Sequence, residues 1–327
     1  MNVSPLPELV YGLVQQWVEK DAAIVIKRDA AWQILRERGL DWDIGIELEA
    51  PHATEEAFRR LARQCSGMGD IVYAVGGGAV ADAAKFVASA LDLPLICVPT
   101  ALSADAFFTA ASGVWRDGCM RCIEARPPEI VLLDLDMIAA SPAHVRAAGI
   151  VDVLSIATAC HDWQLAESRS RNPPGLRYDP GAAAVARGIL DLALACAEAA
   201  GRGSHAGLRA LVTALAMEVQ LRNLIGHSRP AQGSEHHFAC CAQMALTGSG
   251  WRGEAIPALR THGELVGPGI VLMAERQGQQ VRPLRRALDD AGVPVNALPR
   301  DVIELTLSAL PAYVRQHDLP YGIAWEL

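Results

Sequence analysis

Short apolar runs alternate with amphipathic stretches through the first part of the chain, and helical spacing dominates the remainder. Ala23-Ile24-Val25-Ile26 predicts a strand, Ala30 to Arg38 a helix, and Ile44 to Leu48 a second strand. Thr54 to Cys65 has apolar positions on one helical face, with Thr54 as cap and Glu55 and Glu56 in the first turn. Two buried strands follow, Ile71 to Val75 and Leu95 to Val98. The first runs into Gly76-Gly77-Gly78-Ala79-Val80, the second into Pro99-Thr100-Ala101-Leu102-Ser103-Ala104-Asp105. Val114-Trp115 and Met120 to Ile123 suggest a hairpin, and Ile130 to Asp134 a further buried strand. Alternation of this kind predicts a mainly parallel sheet covered by helices. At Ser141-Pro142 a helix is expected to begin, with serine as cap and proline at the first helical position. Beyond it, Ala182 to Ala200 and Gly207 to Leu224 carry helical spacing, and no run with strand character recurs. The expected architecture is an N-terminal α/β Rossmann-like domain (1–138) and an all-α C-terminal domain (139–327).

Composition narrows the class. The 327 residues are 51% hydrophobic, enough for a large core. A net charge of -8 without a basic run excludes a nucleic-acid surface. The longest apolar stretch, Val80 to Val98, contains Asp82, Lys85, Asp92 and a proline, so no membrane span is expected. The first residues show no signal peptide, and most of the eight cysteines lie in apolar surroundings, as buried reduced thiols do. A cytoplasmic protein is the expectation. Cys119 and Cys122 have zinc-knuckle spacing, but no second pair matches them, and a hairpin with incidental thiols is preferred.

Two strand ends, one glycine-rich and one rich in hydroxyls, suit a phosphate-bearing ligand. Glycines leave backbone N–H groups accessible to a pyrophosphate, and the helix that follows adds its positive end. Asp82 and Lys85 share a helical face; they are either a solvated pair or a device in which Asp82 orients the loop and Lys85 faces a cleft. Thr100 and Ser103 beside Asp105 serve equally well as a helix cap. Further along, Asp152 stands in the apolar run Gly149 to Leu154, where a carboxylate needs a partner. His236 and His262 occur in separate polar segments. One Asp and two His suit a divalent metal with open positions, although each His also suits a structural role.

Taken in order, Gly-Gly-Gly-x-x-x-Asp-x-x-Lys, Pro-Thr-x-x-Ser-x-Asp, Gly-x-x-Asp-x-x-Ser, Ser-Arg-Pro-x-x-Gly-Ser-Glu-His and His-Gly-Glu-x-Val-Gly run from about Ile71 to Gly269. This set resembles the sn-glycerol-1-phosphate dehydrogenases, within the superfamily of iron-containing alcohol dehydrogenase, glycerol dehydrogenase and dehydroquinate synthase. The resemblance implies a dehydroquinate synthase-like fold, NAD or NADP as cofactor, and one divalent metal, with Zn²⁺ favoured over Fe²⁺ or Ni²⁺. It implies hydride transfer between nicotinamide and a small polyol or polyol phosphate such as glycerol 1-phosphate or dihydroxyacetone phosphate. Gly76, Gly77, Gly78, Ala79 and Val80 would hold the pyrophosphate, with Asp82 orienting their loop. Thr100, Ala101, Leu102 and Ser103 would lie along the cofactor, and Thr109 stands where the family has a cofactor-contacting serine. Asp105 would contact substrate. Asp152, His236 and His262 would bind the metal, with Asp152 also counted as catalytic. Cys240 occupies the place, one helical turn after His236, of a substrate-contacting histidine. The gap between His236 and His262 is lengthened by an insertion at 247–252, and the first strand-helix unit is compressed. A homo-oligomer is expected from the apolar helices. A dehydroquinate-synthase-like lyase using NAD transiently, or a non-catalytic relative, remain the alternatives.

Overall fold

The computed structural model describes residues 5–17, 21–247 and 261–327; the 247–252 insertion lies almost wholly outside them. The chain divides into two compact units, one up to Ser141 and one from Pro142.

The first unit is built on β1 (Glu8–Tyr11), β2 (Ala23–Lys27), β3 (Ile44–Glu49), β4 (Ile71–Gly76), β5 (Leu95–Pro99) and β8 (Ile130–Leu133). These strands form one sheet in the order β1-β8-β5-β4-β2-β3, with every pairing parallel. β2, β4 and β5 are buried along their whole length, which is why they read as unbroken apolar runs. Helices α1 (Asp29–Glu37), α2 (Glu55–Cys65), α3 (Gly78–Leu91) and α4 (Leu135–Ala140) complete the unit, with a hairpin of β6 (Ala111–Arg116) and β7 (Cys119–Glu124). Thr54 caps α2 by accepting from the Ala57 N–H. Trp32, Trp42, Tyr73, Val75 and Val98 share one core cluster. Within it Trp42 packs against Tyr73, the rings tilted by 39° with centroids 4.1 Å apart.

The sequence gives no sign of β1. It has four residues and adds to the sheet edge by pairing with β8, more than a hundred positions away. Ser141 also departs from expectation. It closes α4 instead of opening a helix, its hydroxyl donating to the Ile138 carbonyl. The next helix, α5 (Ala143–Arg146), starts after Pro142.

Among its described residues the second unit has helices and no strand: α5, α6 (Ile150–Leu154), α7 (Ile156–Ser168), α8 (Pro180–Gly201), α9 (His205–Ile225), α10 (Ser234–Thr247), α11 (His262–Arg276), α12 (Val281–Asp290) and α13 (Arg300–Gln316). Asp179 starts α8 by accepting from Gly181 N and Ala182 N, ahead of Pro180 in the first turn. The short turn at Gly203, with φ of 76°, reverses the chain so that α8 and α9 pack antiparallel.

Candidate active site

In the first unit, β2 leads to β3 on one side and β4 leads to β5 on the other. The strand order therefore reverses between β2 and β4, where ligands settle at the carboxyl ends of open α/β sheets. The Gly76-Gly77-Gly78 turn leaves β4 at that position and opens α3. A β-carbon on Gly76 would lie 2.6 Å from a Val80 methyl, and one on Gly77 would lie 2.8 Å from Ser103 Oγ. The glycines are thus needed for close packing whether or not a ligand is present. Gly78 N donates to Ser103 Oγ at 3.2 Å, so Ser103 ties the second loop to the start of α3. It does not cap the single turn Asp105–Phe107, which has no side-chain cap. Thr100 N donates to Gly76 O, and Ala101 and Leu102 are buried beside it.

The Asp82–Lys85 pair is not an ordinary surface pair: Asp82 is 21% exposed and Lys85 not at all. Lys85 is fully buried and bridges Asp82 Oδ1 at 3.0 Å to the Thr109 hydroxyl at 2.7 Å and the Ala111 carbonyl. Burial raises the Asp82 pKa, and the Lys85 ammonium partly offsets it. The Thr109 hydroxyl is already engaged by this lysine. Asp105 lies near enough for its charge to act on Asp82.

In the second unit, three separate segments converge. Asp152 sits in α6, whose other residues, Ile150, Val151, Val153 and Leu154, are all buried apolar side chains. His262 is the first residue of α11, presented by a capping box in which Thr261 Oγ1 accepts from Glu264 N and Thr261 N donates to Glu264 Oε2 at 2.7 Å. Gly263 lets the start of α11 come close to Ala148, just ahead of α6. His236 lies in the first turn of α10, held where the Ser234 N–H donates to buried Asp162 at 2.7 Å.

Asp152 Oδ1 lies 2.7 Å from His262 Nε2 and 3.6 Å from His236 Nε2. The donor atoms of all three residues fall within 4.8 Å of one another. Asp152 is buried, His236 is 15% exposed, and His262 is 41% exposed, so the cluster opens on one side. Burial alone would lower the His236 pKa. The Asp152 and Glu235 carboxylates override it and push it up to about 10. Burial would raise Asp152, but the two imidazoles hold it well below the usual carboxylate range. One carboxylate oxygen and two imidazole nitrogens, gathered in a cluster open on one side, are the donors a divalent cation takes.

Residues outside the expected set shape this cluster. Glu235, wholly buried, accepts from His236 Nδ1 at 2.8 Å and Gly233 N at 2.6 Å through one oxygen. Its other oxygen accepts from the Thr158 hydroxyl at 2.7 Å. Asp162 accepts from Ser234 N, Ile323 N and Gln277 Nε2. The motif carrying Glu235 was legible; its partner Thr158, 77 positions away, was not. His237, next to His236, faces elsewhere, and burial holds it down to about 4 despite nearby Glu235. Cys240, half-buried one turn after His236, is outside the cluster of donor atoms. Cys119 is buried and Cys122 exposed on the β7 strand, so the knuckle spacing does not gather them on one face.

Residues 20–142 match the family model described as iron-containing alcohol dehydrogenase. The chain is 34% identical over 256 residues to the glycerol-1-phosphate dehydrogenase [NAD(P)+] of Sulfolobus acidocaldarius, covering 78% of this chain and 68% of that protein. The corresponding protein of Methanothrix thermoacetophila is 32% identical over 273 residues, covering 82% and 73%. That of Pyrococcus furiosus is 33% identical over 224 residues, of which the chain spans only 61% of the relative. A probable glycerol dehydrogenase from Sinorhizobium meliloti superposes with a TM-score of 0.66 at 19% identity, covering 98% of this chain and 92% of that one. An iron-containing alcohol dehydrogenase from Corynebacterium glutamicum gives 0.63 at 17%, covering 99% and 92%. These structural likenesses concern the fold.

Proposed function

The chain belongs to the glycerol-1-phosphate dehydrogenase family of the iron-containing alcohol dehydrogenases, and on that premise we propose that it transfers hydride between NAD(P) and a small polyol phosphate. Glycerol 1-phosphate and dihydroxyacetone phosphate are the proposed pair. The observation that supports this most is the meeting of Asp152, His236 and His262, from three helices, with donor atoms within 4.8 Å.

In this reading Asp152, His236 and His262 hold one divalent ion, and we propose Zn²⁺, with Fe²⁺ or Ni²⁺ compatible with the same donors. When bound, such an ion polarises a carbonyl oxygen and stabilises the negative charge of an alkoxide. The dinucleotide supplies the hydride. Gly76, Gly77, Gly78, Ala79 and Val80 are proposed to receive its pyrophosphate at the start of α3, where backbone N–H groups and the helix dipole favour an anion. Thr100, Ala101, Leu102 and Ser103 are proposed to flank it, with Asp82 and Thr109 shaping that wall through buried Lys85. Asp105 is proposed to orient substrate, and Cys240 to line its site in place of a histidine. The buried, unpaired thiols accord with a cytoplasmic location. Among the described residues no helix is long and apolar enough to cross a membrane. Exposed Val185, Met217 and Leu224 on α8 and α9 accord with a homo-oligomer.

The test is nicotinamide absorbance with NADH or NADPH and dihydroxyacetone phosphate, after reconstitution with each metal in turn. Oxidation that depends on added metal and stops on chelation is expected. No turnover with this substrate or a polyol panel, under any of the three metals, overturns the assignment.

A further inference from the structure

We propose that Glu235 is a positioning residue that fixes the His236 ring so that Nε2, and not Nδ1, is the atom offered to the metal. The proposal rests on the metal reading of Asp152, His236 and His262 given above. His236 has two ring nitrogens that compete for any ion. Nδ1 is engaged by Glu235 Oε1 at 2.8 Å, and Nε2 points to Asp152 Oδ1. An acceptor-only carboxylate against Nδ1 demands a proton there, which leaves the Nε2 lone pair for the ion.

Glu235 is itself held by two further donors. Gly233 N donates to the oxygen that serves His236, and Thr158 donates to the other. A β-carbon on Gly233 would lie 2.8 Å from Asp162 Oδ2, 2.9 Å from Ala159 Cα and 3.0 Å from Glu235 Oε2, so only glycine lets this turn sit against α7 with Glu235 folded back over it. Thr158 belongs to α7, which follows directly after the α6 helix carrying Asp152. Glu235 therefore links the segment that bears one donor to the ring that bears another. A wholly buried carboxylate without donors would be costly; here both oxygens of Glu235 accept hydrogen bonds.

Co²⁺ titration of the metal-free full chain, read by visible absorbance and chelator competition, tests this in wild type, Glu235→Gln and Thr158→Val. One equivalent is expected to bind wild type. Glu235→Gln is expected to weaken binding 10–100-fold, the usual range for a residue behind a ligand, and Thr158→Val to a smaller extent. A second arm is independent of variant folding: ¹⁵N-histidine NMR of Zn²⁺-saturated wild type should show His236 protonated on Nδ1 and ligating through Nε2. If wild type binds no Co²⁺ or Zn²⁺, the metal reading falls, and this proposal with it. If wild type binds but Glu235→Gln binds as tightly, or His236 ligates through Nδ1, the positioning role falls while the metal reading stands.

Discussion

At the scale of single residues, neighbours decide what a charge does. Lys85 and Asp82 are three positions apart, the spacing of an ordinary surface pair, yet Lys85 is fully buried. The same spacing serves both outcomes, so only the packed structure separates them: Thr109 and Ala111 supply the extra partners that a buried ammonium needs. Glu167 shows the complementary case at the surface. Asn172, then Arg177 and the Tyr178 N–H, hydrogen-bond its carboxylate and hold it down to about 2, against an ordinary 4.5. A carboxyl depressed on folding stabilises the folded state above its unfolded pKa and loses that contribution as pH falls through its folded value. The Glu167→Gln variant should therefore melt ~1–3 °C below wild type at neutral pH. The gap should shrink as pH falls from 4.5 toward 2. Melting curves across that range check it, and a gap that widens with acid would refute the assignment of the shift.

At the scale of elements, close approach sets where the functional helices lie. A β-carbon on Gly269 of α11 would sit 2.6 Å from the Glu235 carbonyl and 3.2 Å from the Phe238 ring on α10. Backbone cannot rotate away as a side chain can. Gly269→Ala is expected to cost about 1–3 kcal/mol by overpacking and to displace the turn that carries Glu235 and His236. Gly188, exposed in α8 with nothing within 4 Å, is the control. There alanine should stabilise by about 0.5–1 kcal/mol through helix propensity. Chemical denaturation of both variants measures the difference, and equal effects would contradict the packing argument. The sequence reading was sound where an element carries its own signal, as in the buried strands β2, β4 and β5 or the capped helix α2. It missed β1, whose four residues become a strand only through distant β8. It also took Ser141-Pro142 for a helix start, because a serine that closes one helix and a proline that precedes another look alike in one dimension.

At the scale of the whole molecule, the chain is two compact units, and the two halves of the proposed chemistry fall on different ones. The ordered motifs made both halves readable as candidates, because each motif is local: glycines at one strand end, a histidine followed by Gly263 and Glu264. What holds them was not readable, since Ser103 reaches Gly78 across 25 positions and Glu235 reaches Thr158 across 77. The division yields a double dissociation. Gly77→Ala would press a β-carbon to 2.8 Å from Ser103 Oγ and disturb its bond to Gly78 N, at the turn proposed for the pyrophosphate. It should weaken NAD(P)H binding about tenfold or more, which corresponds to ~1.4 kcal/mol, and leave the metal stoichiometric. Asp152→Ala removes the carboxylate that both imidazoles face. It should lose the metal while NAD(P)H still binds. Nicotinamide fluorescence titration and metal analysis on the same preparations give all four outcomes. If each variant loses both ligands, the assignment of one ligand to each unit is wrong. If Asp152→Ala keeps a full equivalent of metal, the three-residue donor set is wrong, whatever the dinucleotide does.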